Sequence, residues 1–375
     1  MSDFIQIHLL TAYPPSNLNR DDLGRPKTAF MGGCERLRIS SQCIKRAIRT
    51  SAEFAYGLED KLGFATRCIP EYINRKLTAA GVDEENIFTF IKSVHDANVK
   101  KSDKNGKDES SKKSAVKFNK KNGRASIDEL LKALREDAKE TARYSKAEFD
   151  YVDHICQQVI ENPNCQLTEQ ELKILKHQDI SVDIALFGRM YAREPDYNVE
   201  AACQISHPIS VSPAIIEADF FTAVDDLAEN CNQPKVSMID TTLFGSAIFY
   251  TYACIDMELL KRNLEGDVEL AALAAKNFIE AITKVSPSGH QNSFASRAFA
   301  EYALVERGSQ TPRSLVSAFY KPVYGRDQLS EAVKRLRAFK LEIDRAYNWH
   351  AEKEAELCVA ENKGSLEDLT NIIGK

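Results

Sequence analysis

The sequence contains no apolar run long enough to cross a bilayer, which excludes a helical membrane span. Its first residues lack the basic start and small-residue cleavage site of a secretory signal, so the cytoplasm is the expected compartment and no membrane partner is expected. Nine cysteines are present, an odd number, and none forms a Cys-x-x-Cys pair. Reduced thiols are therefore expected, and a structural zinc is not. Strong net charge is also missing: −5 over 375 residues argues against a protein that coats nucleic acid with its whole surface. What is present is a 43% hydrophobic composition, enough to bury one large core with insertions or two ordinary domains.

The average charge hides a segregation. Residues 1–50 carry eight Lys or Arg against four Asp or Glu, whereas residues 351–375 carry three against six. A local basic groove on an acidic body fits selective backbone binding. The basic end holds the polar run Leu18-Asn19-Arg20-Asp21-Asp22, then Arg36-Leu37-Arg38-Ile39-Ser40-Ser41-Gln42-Cys43-Ile44-Lys45-Arg46-Ala47-Ile48-Arg49. Ser40 or Ser41 is a natural N-cap, since a serine oxygen accepts an amide hydrogen left over at a helix start. Past the cap, Ile44, Ala47 and Ile48 recur at helical spacing, while Gln42, Lys45, Arg46 and Arg49 lie mostly on the other side. Helix dipole and side-chain cations then act on one anion, as a phosphate site requires. The same pattern also describes an ordinary amphipathic helix whose cations are only solvated.

Phe4 to Leu10 alternates as a half-buried strand, with Ile5, Ile7 and Leu9 on one face and Gln6 and His8 on the other. A turn signal at Tyr13-Pro14-Pro15-Ser16 precedes the polar loop, and the helix is expected from Ser41 to Ala52. From 53 to 178 the pattern is helical with no clear strand, and it reads as an insertion. Within it, Lys100 to Arg124 holds ten basic and three acidic residues among Gly, Ser and Asn, the composition of a mobile loop. Strands are expected again at Asp179 to Met190, at Phe244 to Ile255 and at Phe299 to Glu306. Residues 191–243 read as an extended excursion or hairpin. A helix over Asp267 to Lys284 carries Val268, Ala271, Ala275, Phe278 and Ile282 on one side and stops at Val285-Ser286-Pro287. With the insertions set aside, the order is β-α-β-β-α-β, that of ferredoxin-like and RNA-recognition domains. Fold order alone names no activity.

Arg20 with its loop, Arg38-Ile39-Ser40-Ser41-Gln42 with Lys45-Arg46-Ala47, Asp183-Ile184-Ala185-Leu186-Phe187-Gly188-Arg189-Met190, and Phe220-Phe221-Thr222-Ala223-Val224-Asp225-Asp226-Leu227 fall in one order along the chain. Together they closely resemble the backbone subunit of the type I-E CRISPR surveillance complex, Cascade. The resemblance implies an α+β protein with an RRM-like palm, a large helical finger insertion and a protruding thumb. The palm would take 1–52, 179–190 and 244–320, the finger 53–178 and the thumb 191–243, with a C-terminal helical segment over 321–375. It further implies a non-catalytic scaffold without cofactor that stacks with further copies of itself along CRISPR RNA. Its other partners would be the remaining Cascade subunits and, through the guide, target DNA.

On this resemblance Arg20, Ser40, Gln42, Lys45 and Arg49 match positions that hold the guide backbone, with Arg46 adjacent and Arg38 and Arg189 inside matching motifs. Met190 matches an apolar residue at the RNA kink; read alone, it is equally a core methionine closing a strand. Phe220 and Phe221 match a thumb pair that is Trp-Phe in relatives. Adjacent strand residues point to opposite faces, so at least one is expected to be free of the core. His290-Gln291-Asn292 resembles a polar loop near the RNA, with histidine where relatives often carry lysine. The alternative is a metal-dependent ribonuclease using Asp21 and Asp22 or Asp225 and Asp226. A general acid–base pair of His8 and His207 lacks a readable nucleophile.

Overall fold

The alternation that opens the chain does form a strand, and in the computed structural model this strand, β1, runs Phe4–Ser16. Described residues are 2–98, 126–137, 141–191, 195–225 and 236–374; the Lys-rich segment 100–124 and Asp226 lie outside them. After β1 come the hairpin strands β2 (Thr28–Met31) and β3 (Cys34–Leu37), then helices α1 (Ser41–Arg49) and α2 (Ala52–Ala55). There follow β4 (Phe64–Thr66), α3 (Ile69–Ala79), α4 (Glu84–Ala97), α5 (Ile127–Asp137), β5 (Ala142–Tyr144), α6 (Lys146–Glu161) and α7 (Val182–Phe187). Next are β6 (Cys203–Ile205), β7 (Ile209–Ser210), β8 (Glu217–Val224), β9 (Val236–Asp256), α8 (Met257–Asn263), α9 (Val268–Lys284) and α10 (Gln291–Phe294). The chain ends with β10 (Tyr302–Gly308), α11 (Gln328–Tyr347), β11 (Lys353–Cys358) and α12 (Leu366–Asn371). Two compact units result: Met1–Gly57, Cys203–Leu260 and Val268–Lys375 form one, Leu58–Ala202 and Lys261–Asp267 the other.

The first unit is built on an antiparallel sheet in the order β11-β10-β1-β9-β6. Gln6, His8 and Leu10 of β1 stand opposite Glu306, Leu304 and Tyr302 of β10, and opposite Cys254, Tyr252 and Tyr250 of β9. The expectation of a half-buried strand fails here, because Gln6 and His8 are buried as fully as Ile5, Ile7 and Leu9. The face they share is covered: Leu10, Tyr250, Tyr302 and Leu304 pack with Ala332, Val333 and Leu336 of α11. Residues 321–375 are correspondingly not a helical segment alone, since β11 adds an edge strand paired to β10. Val268, placed on the apolar side of α9, is exposed, and the last strand starts at Tyr302 rather than Phe299.

Burying polar strand residues requires that each find a partner. Glu306 accepts from both Arg313 guanidinium nitrogens, at 2.7 and 3.0 Å. His8 Nε2 lies 3.3 Å from Glu306, and its Nδ1 is 2.9 Å from the Tyr250 hydroxyl. Arg313 continues to Asp344 of α11 at 2.7 Å, and Lys340 of the same helix reaches Glu306 at 3.4 Å. Gln6 accepts from the Tyr252 hydroxyl (3.1 Å) and the Arg313 amide (2.6 Å). Burial opposes ionisation of Glu306, yet the bonds from His8 and Arg313 overcome it and hold the carboxyl at about 2. Burial also pushes His8 below its ordinary value, and Glu306 offsets this only in part.

The second unit has its own core, where Ile73, Leu77, Ile91, Val94, Val152 and Ile155 of α3, α4 and α6 pack together. The expected absence of strands is corrected, because β4 and β5 pair as a short antiparallel ribbon, Phe64 opposite Tyr144. The larger correction falls on 179–190, which forms no strand: Val182–Phe187 is the helix α7. Every residue of α7 is buried, so no polar side marks its 3.6-residue period, and the apparent alternation of Ile184 and Leu186 with Asp183 and Ala185 carries no directional meaning.

Glu306→Gln removes the charge that Arg313 and Lys340 neutralise, and should destabilise the first unit by about 3–5 kcal/mol in urea unfolding. The sign with pH follows from the depressed carboxyl. Its contribution is complete above the ordinary value of 4.5 and is lost as pH falls through about 2. Acid unfolding of the wild type should therefore show a loss in this window that Glu306→Gln lacks.

Candidate nucleic-acid interface

Three stretches far apart in sequence meet in the first unit. Helix α1 starts at Ser40, whose Oγ accepts the Cys43 amide at 3.3 Å and keeps its own hydroxyl proton to donate. Ser40 is itself positioned by Asn19, whose Oδ1 accepts the Ser40 amide at 2.8 Å. Asn19 also accepts the Lys27 amide through its carbonyl (2.9 Å), and Lys27 accepts the Arg38 amide (2.8 Å). The Arg20 loop is thus stitched to the start of α1 by the Asn19 side chain and by backbone bonds through Lys27. Asp21 shapes that loop from within, its Oδ1 accepting the Leu23 and Arg25 amides at 2.9 and 2.8 Å.

On α1, Ile44 and Ile48 are buried, Gln42 and Arg46 are exposed, and Lys45 and Arg49 are half-buried. The helix ends at Arg49, and Ala52 opens α2 after a break capped by Ser51, so the expected single helix to Ala52 is shorter. The third stretch arrives at Gly289, where an added Cβ would lie 2.2 Å from the Leu18 carbonyl oxygen; only glycine permits this approach. His290 follows at a left-handed φ of 49°, stacked on Phe294, and Gln291 and Asn292 open α10. Burial, then the nearby Arg20 charge, push His290 below its ordinary value, so it is neutral near pH 7. Phe294 in turn meets Phe244 of β9, and Asn17 donates to the Leu243 carbonyl at 2.8 Å.

From that point β8 and β9 leave the sheet as a two-stranded hairpin, Phe220 opposite Thr241 and Phe221 opposite Asp240. Phe220 is 66% exposed and Phe221 39%, so both phenylalanines are free of the core. Register puts Phe220 on one face with Ile239 and Val224, and Phe221 on the other with Met238, Asp219 and Asp240.

Arg189 and Met190 belong to the second unit and differ from each other. Met190 is 83% exposed, which overturns its reading as a core methionine. It lines an open pocket of about 390 Å³ with Thr141, Arg143, Gly188, Val199 and Ala201. Arg189 is 4% exposed and turns inward. Its Nη1 donates to both oxygens of buried Glu148 at 2.8 Å, its Nε to the Tyr197 carbonyl and its Nη2 to the Lys176 carbonyl. The geometry corrects the expectation of Arg189 as an RNA contact, since the guanidinium is spent on the interior. Glu148, which no motif marked, is the hub of this unit: it also completes the capping box of α6 with Ser145 and accepts the Lys176 amide at 2.8 Å.

Among the described residues no group of three or more His, Cys, Asp or Glu side chains could hold a metal ion. His8 is engaged with Tyr250 and Glu306, whereas His207 is engaged with Arg38. No helix is long and apolar enough to cross a membrane among the described residues.

The architecture is a mixed α+β one on an antiparallel sheet, and it is similar to chains of RNA-guided surveillance complexes. A structure titled "CRISPR RNA-guided surveillance complex, pre-nicking" matches with a TM-score of 0.75 and 28% identity, covering 99% of this chain and 98% of that one. A second, titled "CRISPR RNA-guided surveillance complex", matches in fold at a TM-score of 0.56 and 23% identity, over 98% of this chain and 92% of the other. The CT1975-like protein family model, Cas_CT1975, matches residues 5–373, and the chain belongs to that family. No curated protein matches it.

Arg189→Ala leaves Glu148 charged and buried, and should cost about 3–5 kcal/mol in thermal or urea unfolding. Met190→Ala, on the surface, should stay within about 0.5 kcal/mol of wild type. Equal stability of Arg189→Ala and wild type would show that the interior ion pair is not structural.

Proposed function

We propose that this chain is a non-catalytic RNA-binding scaffold of a type I-E Cascade complex. It oligomerises along CRISPR RNA and holds and kinks the guide so that it pairs with target DNA in antiviral defence. The observation that carries this reading is the meeting of Arg20, the α1 face with Gln42, Lys45, Arg46 and Arg49, and the His290 loop in one unit of the fold. Those groups suit a phosphate backbone: cations and amide or hydroxyl donors.

In this reading the first unit is an RRM-like palm. Support comes from β1, α1, β6, β9, α9 and β10, which follow one another in that order and place the strands as β10-β1-β9-β6. The second unit is the finger, and the β8–β9 hairpin is the thumb. Exposed Met190 and the hairpin phenylalanines are the apolar groups suited to stacking on unstacked bases at a kink. The likeness to a chain of an RNA-guided surveillance complex supports partnership with CRISPR RNA, further copies and other Cascade subunits. The protein acts in the cytoplasm and uses no cofactor. The ribonuclease alternative draws no support from Asp21, whose carboxylate is turned to the Leu23 and Arg25 amides of its own loop.

The test is to co-express the chain with a CRISPR array and the companion subunits, and to sequence the RNA that co-purifies. Spacer-repeat RNA of uniform length, uncut with magnesium, is expected. The double change Lys45→Ala and Arg49→Ala should weaken binding at all guide sequences. It should also flatten the log-affinity against log-salt slope by about 0.7 for each phosphate that is no longer neutralised. Unchanged affinity at moderate salt would remove this groove.

A further inference from the structure

His207 sits on the exposed turn between β6 and β7, and its Nδ1 is 2.8 Å from Arg38 Nη1. A guanidinium nitrogen can only donate, so Nδ1 accepts and the imidazole is neutral with its proton on Nε2. The backbone on both sides of the pair is fixed. Arg38 bridges Ile209, and the Ile39 amide donates to the Pro208 carbonyl at 2.9 Å. Arg38 Nε also donates to the Thr28 carbonyl at 3.4 Å. The charged groups that act on the imidazole are Arg38 and Lys27, both cations; burial first, then these two, hold it below its ordinary value. Glu35, the acid of the β2–β3 hairpin, is hydrogen-bonded to Thr28 Oγ1 at 2.6 Å. On the neighbouring helix, Lys45 lies near enough to act on the Cys203 thiol of β6, so a further cation borders the turn.

We infer that His207, Arg38 and Lys27 form a backbone-phosphate subsite, and that RNA docking there is coupled to uptake of a proton by the His207 imidazole. The inference rests on the RNA-binding reading above. In the free protein a proton on Nδ1 is disfavoured twice, since it breaks the bond from Arg38 and adds a third positive charge. A phosphate seated against Arg38 reverses both effects. An opposite charge within about 4–6 Å favours the imidazolium, and the phosphate oxygens accept from Nδ1 and from the released guanidinium together. The proton comes from solvent, forms the N–H bond at Nδ1 and returns to solvent when the RNA leaves. No other bond forms or breaks.

By linkage, a site that binds more protons with ligand than without gains affinity as pH falls, up to about tenfold per pH unit for one proton. The test titrates the full chain with one spacer-repeat RNA at about pH 7.5 and about pH 5.5 at fixed ionic strength. Wild type and His207→Gln are compared. His290 is kept in both proteins, so its own titration cancels. The gain on acidification should be about threefold to tenfold larger in the wild type. Calorimetry at about pH 6.5 in two buffers of different ionisation enthalpy should record greater proton uptake by the wild type. Equal pH slopes and equal proton uptake overturn the inference while leaving RNA binding in place. Failure of the wild type to bind this RNA at either pH removes the RNA reading itself, and the inference with it.

Discussion

Glu306 is a carboxylate without exposed surface, and the first unit is arranged around the need to keep it charged. Strand β10 supplies it, strand β1 offers His8 and Gln6 beside it, and α11 brings Lys340 and Asp344 over the same face. Arg313, clamped on Glu306 and Asp344 and lying 3.4 Å over the Trp349 ring, joins the two layers. A sheet with one hydrated face becomes a sheet buried on both. In the same unit the loop at residues 17–19 meets both the start of α1, through Asn19 and Ser40, and the loop at Gly289, which closes on the Leu18 carbonyl. Glu148 plays the same part in the second unit, where a buried carboxylate caps α6 and receives Arg189. Each unit thus centres on an internal acid matched to an internal arginine.

The interface is assembled from interactions that are mostly not cationic. Asn17, Asn19, Ser40 and Gly289 set distances, and the arginines and lysines are carried on the frame they make. This division of labour explains why the chain can be acidic overall and still present a basic end. Backbone contacts that position a nucleic acid need few charges, provided those charges cannot wander.

Local chemistry is legible in the sequence, and layering is not. Ser40 can be read as a cap because capping depends on the next three residues. Strand β1 and helix α9 are visible by period, and the excursion that contains β8 is visible by its turn-rich composition and its lack of period. Local pattern misplaces Gln6 and His8 because their burial is caused by α11, more than three hundred residues away, and no neighbouring residue carries that information. Helix α7 escapes recognition for a related reason: immersion on every side erases the polar stripe from which helices are recognised. Arg189 and Met190 stand side by side in one motif, yet one turns to Glu148 and the other to solvent. A motif places residues in order along the chain, whereas direction is decided by what packs beside them. Lys27 and His207 carry no motif and become visible only when the β2–β3 hairpin and the β6–β7 turn are seen together.

Strand β9 runs unbroken from Val236 to Asp256, paired with β8 at one end and with β1 at the other. Its outer half and its inner half are therefore one mechanical member. The register irregularity against β1 falls between Tyr13 and Ser16, beside Gly245, where the strand clears Leu37 and the Ile215 carbonyl. A hairpin joined to its body through two flexible linkers swings as a hinge, whereas one that continues a central strand behaves as a cantilever. Force applied at Phe220 is carried along β9 as shear on the hydrogen bonds to β1, in the middle of the sheet. Deflection of the tip therefore meets the stiffness of the sheet centre, and the direction in which Phe220 points is inherited from the twist of that sheet.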